Sequence, residues 1–177
     1  MSPNITLILG GARSGKSTRA EMLAAQSNLP VVYVATYATS HPDPEMACRI
    51  EKHRAQRPTH WTTVENQFDL EIIFHAHKGT AVLIDCLTLW LSFHCEHKTE
   101  TQLLTLLRSA LESARENDIS LFIVSNELGM GLVPTTSLGR SFRDLCGRAN
   151  QLVAAYSDHV EFQIAGLPLI LKGGPPQ

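Results

Sequence analysis

The residue types and spacing best suited to chemistry lie between Gly10 and Ser17. Gly10-Gly-Ala-Arg-Ser-Gly-Lys-Ser17 reads G-x-x-x-x-G-K-S, the pattern of a phosphate-binding loop. Glycines let the backbone curl so that successive N–H groups point at phosphate oxygens. Lys16 brings a flexible ammonium to the β- and γ-phosphates, and the Ser17 hydroxyl can ligate Mg²⁺. Such a loop implies that a nucleotide phosphate binds; it does not say what is done with it.

Two further residues suit the same chemistry. Ala81-Val-Leu-Ile-Asp85 is an apolar run ending in a carboxylate. In phosphate-loop proteins an Asp at such a strand end holds the hydration shell of Mg²⁺. The plainer alternative is a helix N-cap. His53 shares one predicted helix face with Met46 and Ile50, at i, i+4 and i+7, and is flanked by Lys52 and Arg54 with Arg57 beyond. A neutral imidazole nitrogen can attack phosphorus, and nearby arginines would stabilise the charge that builds up there. The residues alone leave a phospho- or nucleotidyl-histidine beside the reading of a satisfied or surface histidine.

These groups must be positioned by strands and helices. Ile5 to Leu9 is a short apolar run, as expected of a strand buried on both faces, and Thr18 to Gln26 continues as a helix whose N-terminus attracts anions. Strands are predicted at Val31–Ala35, Trp61–Glu65, Ala81–Asp85, Leu121–Ser125 and Val160–Ala165. Leu167 to Leu171 either extends the last strand or forms a short partner. Helices are predicted over Glu45–Gln56, after an Asp43 cap and Pro44, then over Phe68–His77, Leu87–Phe93, Thr101–Arg115 and Ser137–Tyr156. Alternating strands and helices give an α/β fold, a mainly parallel sheet with helices on both faces. Asn126 and Glu127 follow a strand, at the sheet edge where ligands bind in open α/β sheets.

With 177 residues, the chain reads as one domain over 1–172 followed by a frayed tail over 173–177. The formal charge of −2 and pI of about 6.4 advertise no polyanion-binding surface, so nucleic acid is not an expected partner. No apolar run is long enough to span a membrane, and the N-terminus enters the first strand without room for a signal peptide. The four cysteines lack a C-x-x-C pair and fit reduced thiols in the cytoplasm. Neither His75-Ala-His77 nor His94-Cys-Glu-His97 matches a zinc pattern.

Several blocks in order add a resemblance. They are the loop Gly10–Ser17, Val34-Ala-Thr36, Asp43-Pro-Glu-Met46, Arg49-Ile-Glu-Lys-His-Arg-Ala-Gln-Arg-Pro58 and Trp61-Thr-Thr-Val-Glu65. Ser125-Asn-Glu-Leu-Gly-Met-Gly-Leu-Val-Pro134, Phe142-Arg-Asp144 and Gly147-Arg-Ala-Asn-Gln151 complete them. Together they resemble the bifunctional cobinamide kinase/cobinamide-phosphate guanylyltransferase family. The phosphate loop is shared widely; the H-R-A-x-R-P and N-E-x-G-x-G-x-V-P blocks are far more specific.

The resemblance implies a RecA-like phosphate-loop fold and a homotrimer. It implies two reactions: phosphorylation of adenosylcobinamide by ATP or GTP, then transfer of GMP from GTP to adenosylcobinamide phosphate through a guanylyl-histidine. The family's histidine falls on His53, with Lys16 beside it in catalysis. Nucleotide contacts carry over to Gly10, Gly11, Ala12, Arg13, Ser14, Gly15, Lys16, Ser17, Ala35, Thr36 and Tyr37. They continue with Arg54, Ala55, Gln56, Arg57, Glu65 and Asp85. Mg²⁺ or Mn²⁺ would be held by Ser17 and Asp85. The loop between Thr36 and Asp43 is longer than the family's usual one. Two rival readings use the same loop: a small-molecule kinase with a structural His53, and a non-catalytic nucleotide switch or assembly module.

Overall fold

The computed structural model describes residues 4–37 and 57–174. Among these, the strands are β1 Ile5–Gly10, β2 Val31–Ala35, β3 Thr62–Glu65, β4 Ala81–Asp85, β5 Ser120–Asn126, β6 His159–Ile164 and β7 Leu167–Lys172. The helices are α1 Lys16–Gln26, α2 Leu70–Ala76, α3 Leu87–Cys95, α4 Glu100–Glu116 and α5 Ser137–Tyr156. The helix expected over Glu45–Gln56 lies outside the described residues.

All the strands join one sheet, ordered β3-β2-β4-β5-β1-β6-β7. Every neighbouring pair is parallel except β6 and β7. The apolar runs explain this. Strands β1 and β4 are buried almost throughout, and successive side chains feed two different cores. Val32, Val34, Val82, Ile84, Leu121 and Ile123 face the core shared with α2, α3, α4 and α5. Tyr33, Leu83, Phe122 and Val124 face the core shared with α1.

The helices bury the stripes their spacing predicts. On α4, Leu103, Leu107, Ala110, Leu111 and Ala114 are buried, and Thr99 with Gln102 closes a capping box at its start. The Asp69 carboxylate accepts from the N–H groups of Glu71 and Ile72, which sets the start of α2 inside the predicted Phe68–His77 range. The segment after β6 turns out to be a partner strand. Ala165 and Gly166 both have left-handed φ, 52° and 80°, so the chain reverses in two residues.

Candidate nucleotide and transfer site

Parallel register collects distant residues on one sheet edge. Ala35 pairs with Glu65 on one side and Asp85 on the other. Gly10 pairs with Asn126 and Gln163. The C-terminal ends of β3, β2, β4, β5 and β1 thus follow one another along this edge, where the phosphate loop leaves β1.

The loop is built around two glycines. A Cβ on Gly10 would lie 2.4 Å from Ser14 Oγ and 2.9 Å from the Gln163 carbonyl oxygen, so no side chain fits there. Gly15 has φ 92°, which a non-glycine residue adopts only under strain. Beyond it α1 starts without a side-chain cap, leaving its first N–H groups for an anion. Lys16 Nζ donates to the Gly11 carbonyl at 3.1 Å, which keeps the ammonium over the loop. Ser14 is buried, and its Oγ has no hydrogen-bond partner among the described residues.

The loop is braced from β6 and from the turn that follows it. Gly166 N–H donates to the Ser14 carbonyl at 2.9 Å. Behind the loop, Arg19 of α1 donates to both oxygens of Glu161, at 2.8 and 2.6 Å. His159 Nε2 lies 2.9 Å from Glu161 Oε1, and Gln163 Nε2 donates to Oε2 at 3.1 Å. Burial alone would raise the Glu161 pKa, but the hydrogen bonds from Arg19 and His159 hold it below its ordinary value.

At the other end of the site, Tyr33 OH donates to Asp85 Oδ2 at 2.8 Å. Burial first, and then the nearby Asp85, push the Tyr33 pKa far up, so the phenol remains a donor. The Arg57 guanidinium stacks on the Tyr33 ring, 3.6 Å from its centroid. Arg57 Nε and Nη1 are buried without a hydrogen-bond partner among the described residues. Thr36 Oγ1 donates to the Cys86 carbonyl and accepts from its N–H, both at 2.7 Å. Its hydroxyl is therefore occupied within the fold.

A family model described as cobinamide kinase / cobinamide phosphate guanyltransferase matches residues 6–171. The chain belongs to this family. It is 45% identical over 174 residues to the bifunctional adenosylcobalamin biosynthesis protein CobP of Pseudomonas aeruginosa, covering 96% of this chain and 98% of that one. It is 35% identical over 181 residues to the bifunctional adenosylcobalamin biosynthesis protein CobU of Escherichia coli, covering 94% and 98%. Among solved structures, a KaiC-like protein from Pyrococcus horikoshii OT3 aligns with TM-score 0.56 and 14% identity, over 98% of this chain and 81% of that one. An ATPase of a bacterial type III secretion system aligns with TM-score 0.59 and 12% identity, over 90% and 50%. These likenesses show a RecA-like phosphate-loop NTPase fold.

Within this cobinamide kinase/guanylyltransferase chain, Gly10 to Ser17, Ala35, Thr36, Glu65 and Asp85 lie along one edge or in its loops, with Arg57 over Tyr33. His53, Arg54, Ala55 and Gln56 lie outside the described residues. Tyr37 is half-buried directly after Thr36. Sequence reasoning missed Tyr33, whose only signal was an aromatic hydroxyl inside an otherwise aliphatic strand. It also missed the ladder of His159, Glu161 and Gln163. Polar residues alternating along a strand ordinarily face water, but here all three are buried, and Arg19 of α1 reaches Glu161 between the other two. It singled out Asn126 without a role. The Asn126 N–H and Nδ2 donate to Thr88 Oγ1 at 3.0 and 3.2 Å, and Asn150 Nδ2 donates to the Asn126 carbonyl at 3.3 Å.

Proposed function

We propose that the chain phosphorylates adenosylcobinamide with ATP or GTP, and then carries GMP from GTP to the resulting phosphate on His53. In the kinase step the acceptor hydroxyl attacks the γ-phosphorus, the nucleoside diphosphate leaves and the hydroxyl proton passes to solvent. In the second step a His53 ring nitrogen attacks the α-phosphorus of GTP and pyrophosphate leaves. An oxygen of adenosylcobinamide phosphate then attacks that phosphorus, the N–P bond breaks, and adenosylcobinamide-GDP departs with His53 restored.

The observation that carries this reading is the glycine-built cradle sharing a sheet edge with Asp85, in a chain of this family. The loop N–H groups and Lys16 would seat the β- and γ-phosphates. Arg57 supports the reading with buried guanidinium nitrogens, unpartnered among the described residues, over the Tyr33 ring and suited to a phosphate oxygen. Arg54 would join it, and Glu65 would read the guanine edge or the ribose. The oxygen donors Ser17 and Asp85 suit Mg²⁺ or Mn²⁺, since such an ion takes one or two protein oxygens together with substrate phosphates. When bound, it would neutralise charge on the triphosphate.

The partners in this reading are small molecules and further copies of the chain, with no nucleic acid. The β6–β7 hairpin exposes Ile164, Leu167, Leu169, Ile170 and Leu171, an apolar edge that a homotrimer would cover. The cytoplasm is the proposed compartment, supported by the free thiols of Cys86, Cys95 and Cys146.

The test is a quench of the protein with α-labelled GTP. Acid-labile, base-stable protein label is expected, with pyrophosphate release, and both are expected to vanish in His53→Asn while γ-phosphate transfer persists. Label surviving in that variant would remove His53 from the mechanism.

A further inference from the structure

We propose that the loop joining β5 to α5 is the acceptor subsite, and that its apolar side chains receive the corrin ring face of the cobinamide substrate. This rests on the two-step reading above and adds to it the surface that holds the second substrate.

The loop begins in the nucleotide site. Asn126 pairs with Gly10 across β5 and β1, and Glu127 N–H donates to the Gly10 carbonyl at 3.2 Å. Within the next twelve residues Met130, Leu132, Val133 and Leu138 are 79%, 96%, 66% and 76% exposed. The other cluster of exposed large apolar residues among those described is the β6–β7 hairpin. A cluster this dense next to polar chemistry marks a binding surface rather than scattered surface hydrophobicity.

The loop is also held in shape. Glu127 Oε1 accepts from Gly129 N–H at 2.7 Å. Arg140 Nη1 donates to the carbonyls of Pro134 and Thr135 at 3.0 and 2.9 Å. Thr136 Oγ1 accepts from Gly139 N–H at 3.1 Å, and a Cβ on Gly139 would meet Pro134 Cβ at 2.9 Å. The apolar tips therefore project from an ordered frame. Such preorganisation lowers the entropy lost when a ligand lands.

The occupant follows from the reaction. Its acceptor is a broad macrocycle whose ring and methyl groups offer apolar surface between amide arms, and its reacting group must reach the triphosphate seated on Gly10–Ser17. Only the terminal group changes between the two steps, from hydroxyl to phosphate. One ring-docking surface beside the cradle can therefore present both acceptors to the same nucleotide.

The test combines Met130→Ser with Leu132→Ser, at positions exposed enough to spare the core. Binding of cobinamide, which is coloured, is read by ultrafiltration, GTP binding by titration calorimetry, and molecular mass by light scattering. Cobinamide affinity is expected to fall about tenfold or more, with GTP affinity and mass unchanged. Equal cobinamide affinity in wild type and variant overturns the inference and leaves the two-step reading standing. A change in mass overturns it as well, because the patch is then a contact between copies. Failure of the wild type to bind cobinamide removes both.

Discussion

Arg19 grips Glu161 through two parallel hydrogen bonds, Nε to Oε2 at 2.8 Å and Nη2 to Oε1 at 2.6 Å, with the carboxylate fully buried. The pair joins the helix that follows the phosphate loop to the strand beside β1. Removing one partner strands a buried charge, so Arg19→Met is expected to cost about 3 kcal/mol or more in urea unfolding. The Arg19→Met/Glu161→Leu double variant is expected to be less destabilised than the sum of the single changes. The pH dependence has a definite sign. The folded pKa of Glu161 lies below its ordinary value. The pair's contribution is complete above the unfolded pKa and is lost as pH falls through the folded one. Unfolding curves from pH 7 into the acid range are expected to show a shallower acid loss in Glu161→Gln.

Gly10→Ala places a methyl group 2.4 Å from Ser14 Oγ and 2.9 Å from a backbone oxygen. The loop must shift, and with it the N–H groups aimed at phosphate. GTP affinity is expected to fall about tenfold or more, equivalent to roughly 1.4 kcal/mol, by calorimetric titration. Gly11→Ala is the control, since its Cβ meets nothing within 4 Å.

Tyr33→Phe removes the donor to Asp85 and keeps the ring under Arg57. Hydrogen bonds to charged groups contribute about 1.5–3 kcal/mol, so a lower transfer rate is expected, with a higher Mg²⁺ concentration for half-maximal rate. Both are measured by titrating Mg²⁺ in the pyrophosphate-release assay, in which chelation should abolish turnover. Because the phenol pKa is raised, the difference between the two proteins is expected to be flat from pH 6 to about 9.

Thr36 satisfies both backbone groups of Cys86 from one hydroxyl. Thr36→Val leaves the buried Cys86 N–H unpaired, while the carbonyl keeps the Trp90 N–H as donor, and is expected to cost about 2 kcal/mol in urea unfolding. Thr36→Ser keeps the oxygen and is expected to recover most of that loss. The Thr36 N–H donates to the Asp85 carbonyl at 3.2 Å, so a nucleotide contact at this residue would run through its backbone carbonyl.

Much of this architecture is legible in local pattern. Val31–Ala35, Ala81–Asp85 and Ser137–Tyr156 begin and end where periodicity places them. The loop Gly10–Ser17 announces its chemistry because its glycines and its Lys and Ser answer to adjacent backbone geometry. Patterns with periods of 2 and 3.6 report which face of an element is buried, and they do so within a few residues.

What such patterns do not report is which elements meet. Only the sheet order places β5 between β4 and β1, and so sets Asn126 beside Gly10 with Asp85 one strand further on. Only packing turns the polar face of β6 inward, because the compensating charge, Arg19, lies 142 residues away along the chain. Tyr33 likewise acquires its partner, Asp85, across 52 residues. The sequence by itself determined most of the described elements, the phosphate-loop pattern and the family. The tertiary structure decided which side chains brace that cradle, since closing a parallel sheet selects partners that local propensity cannot name.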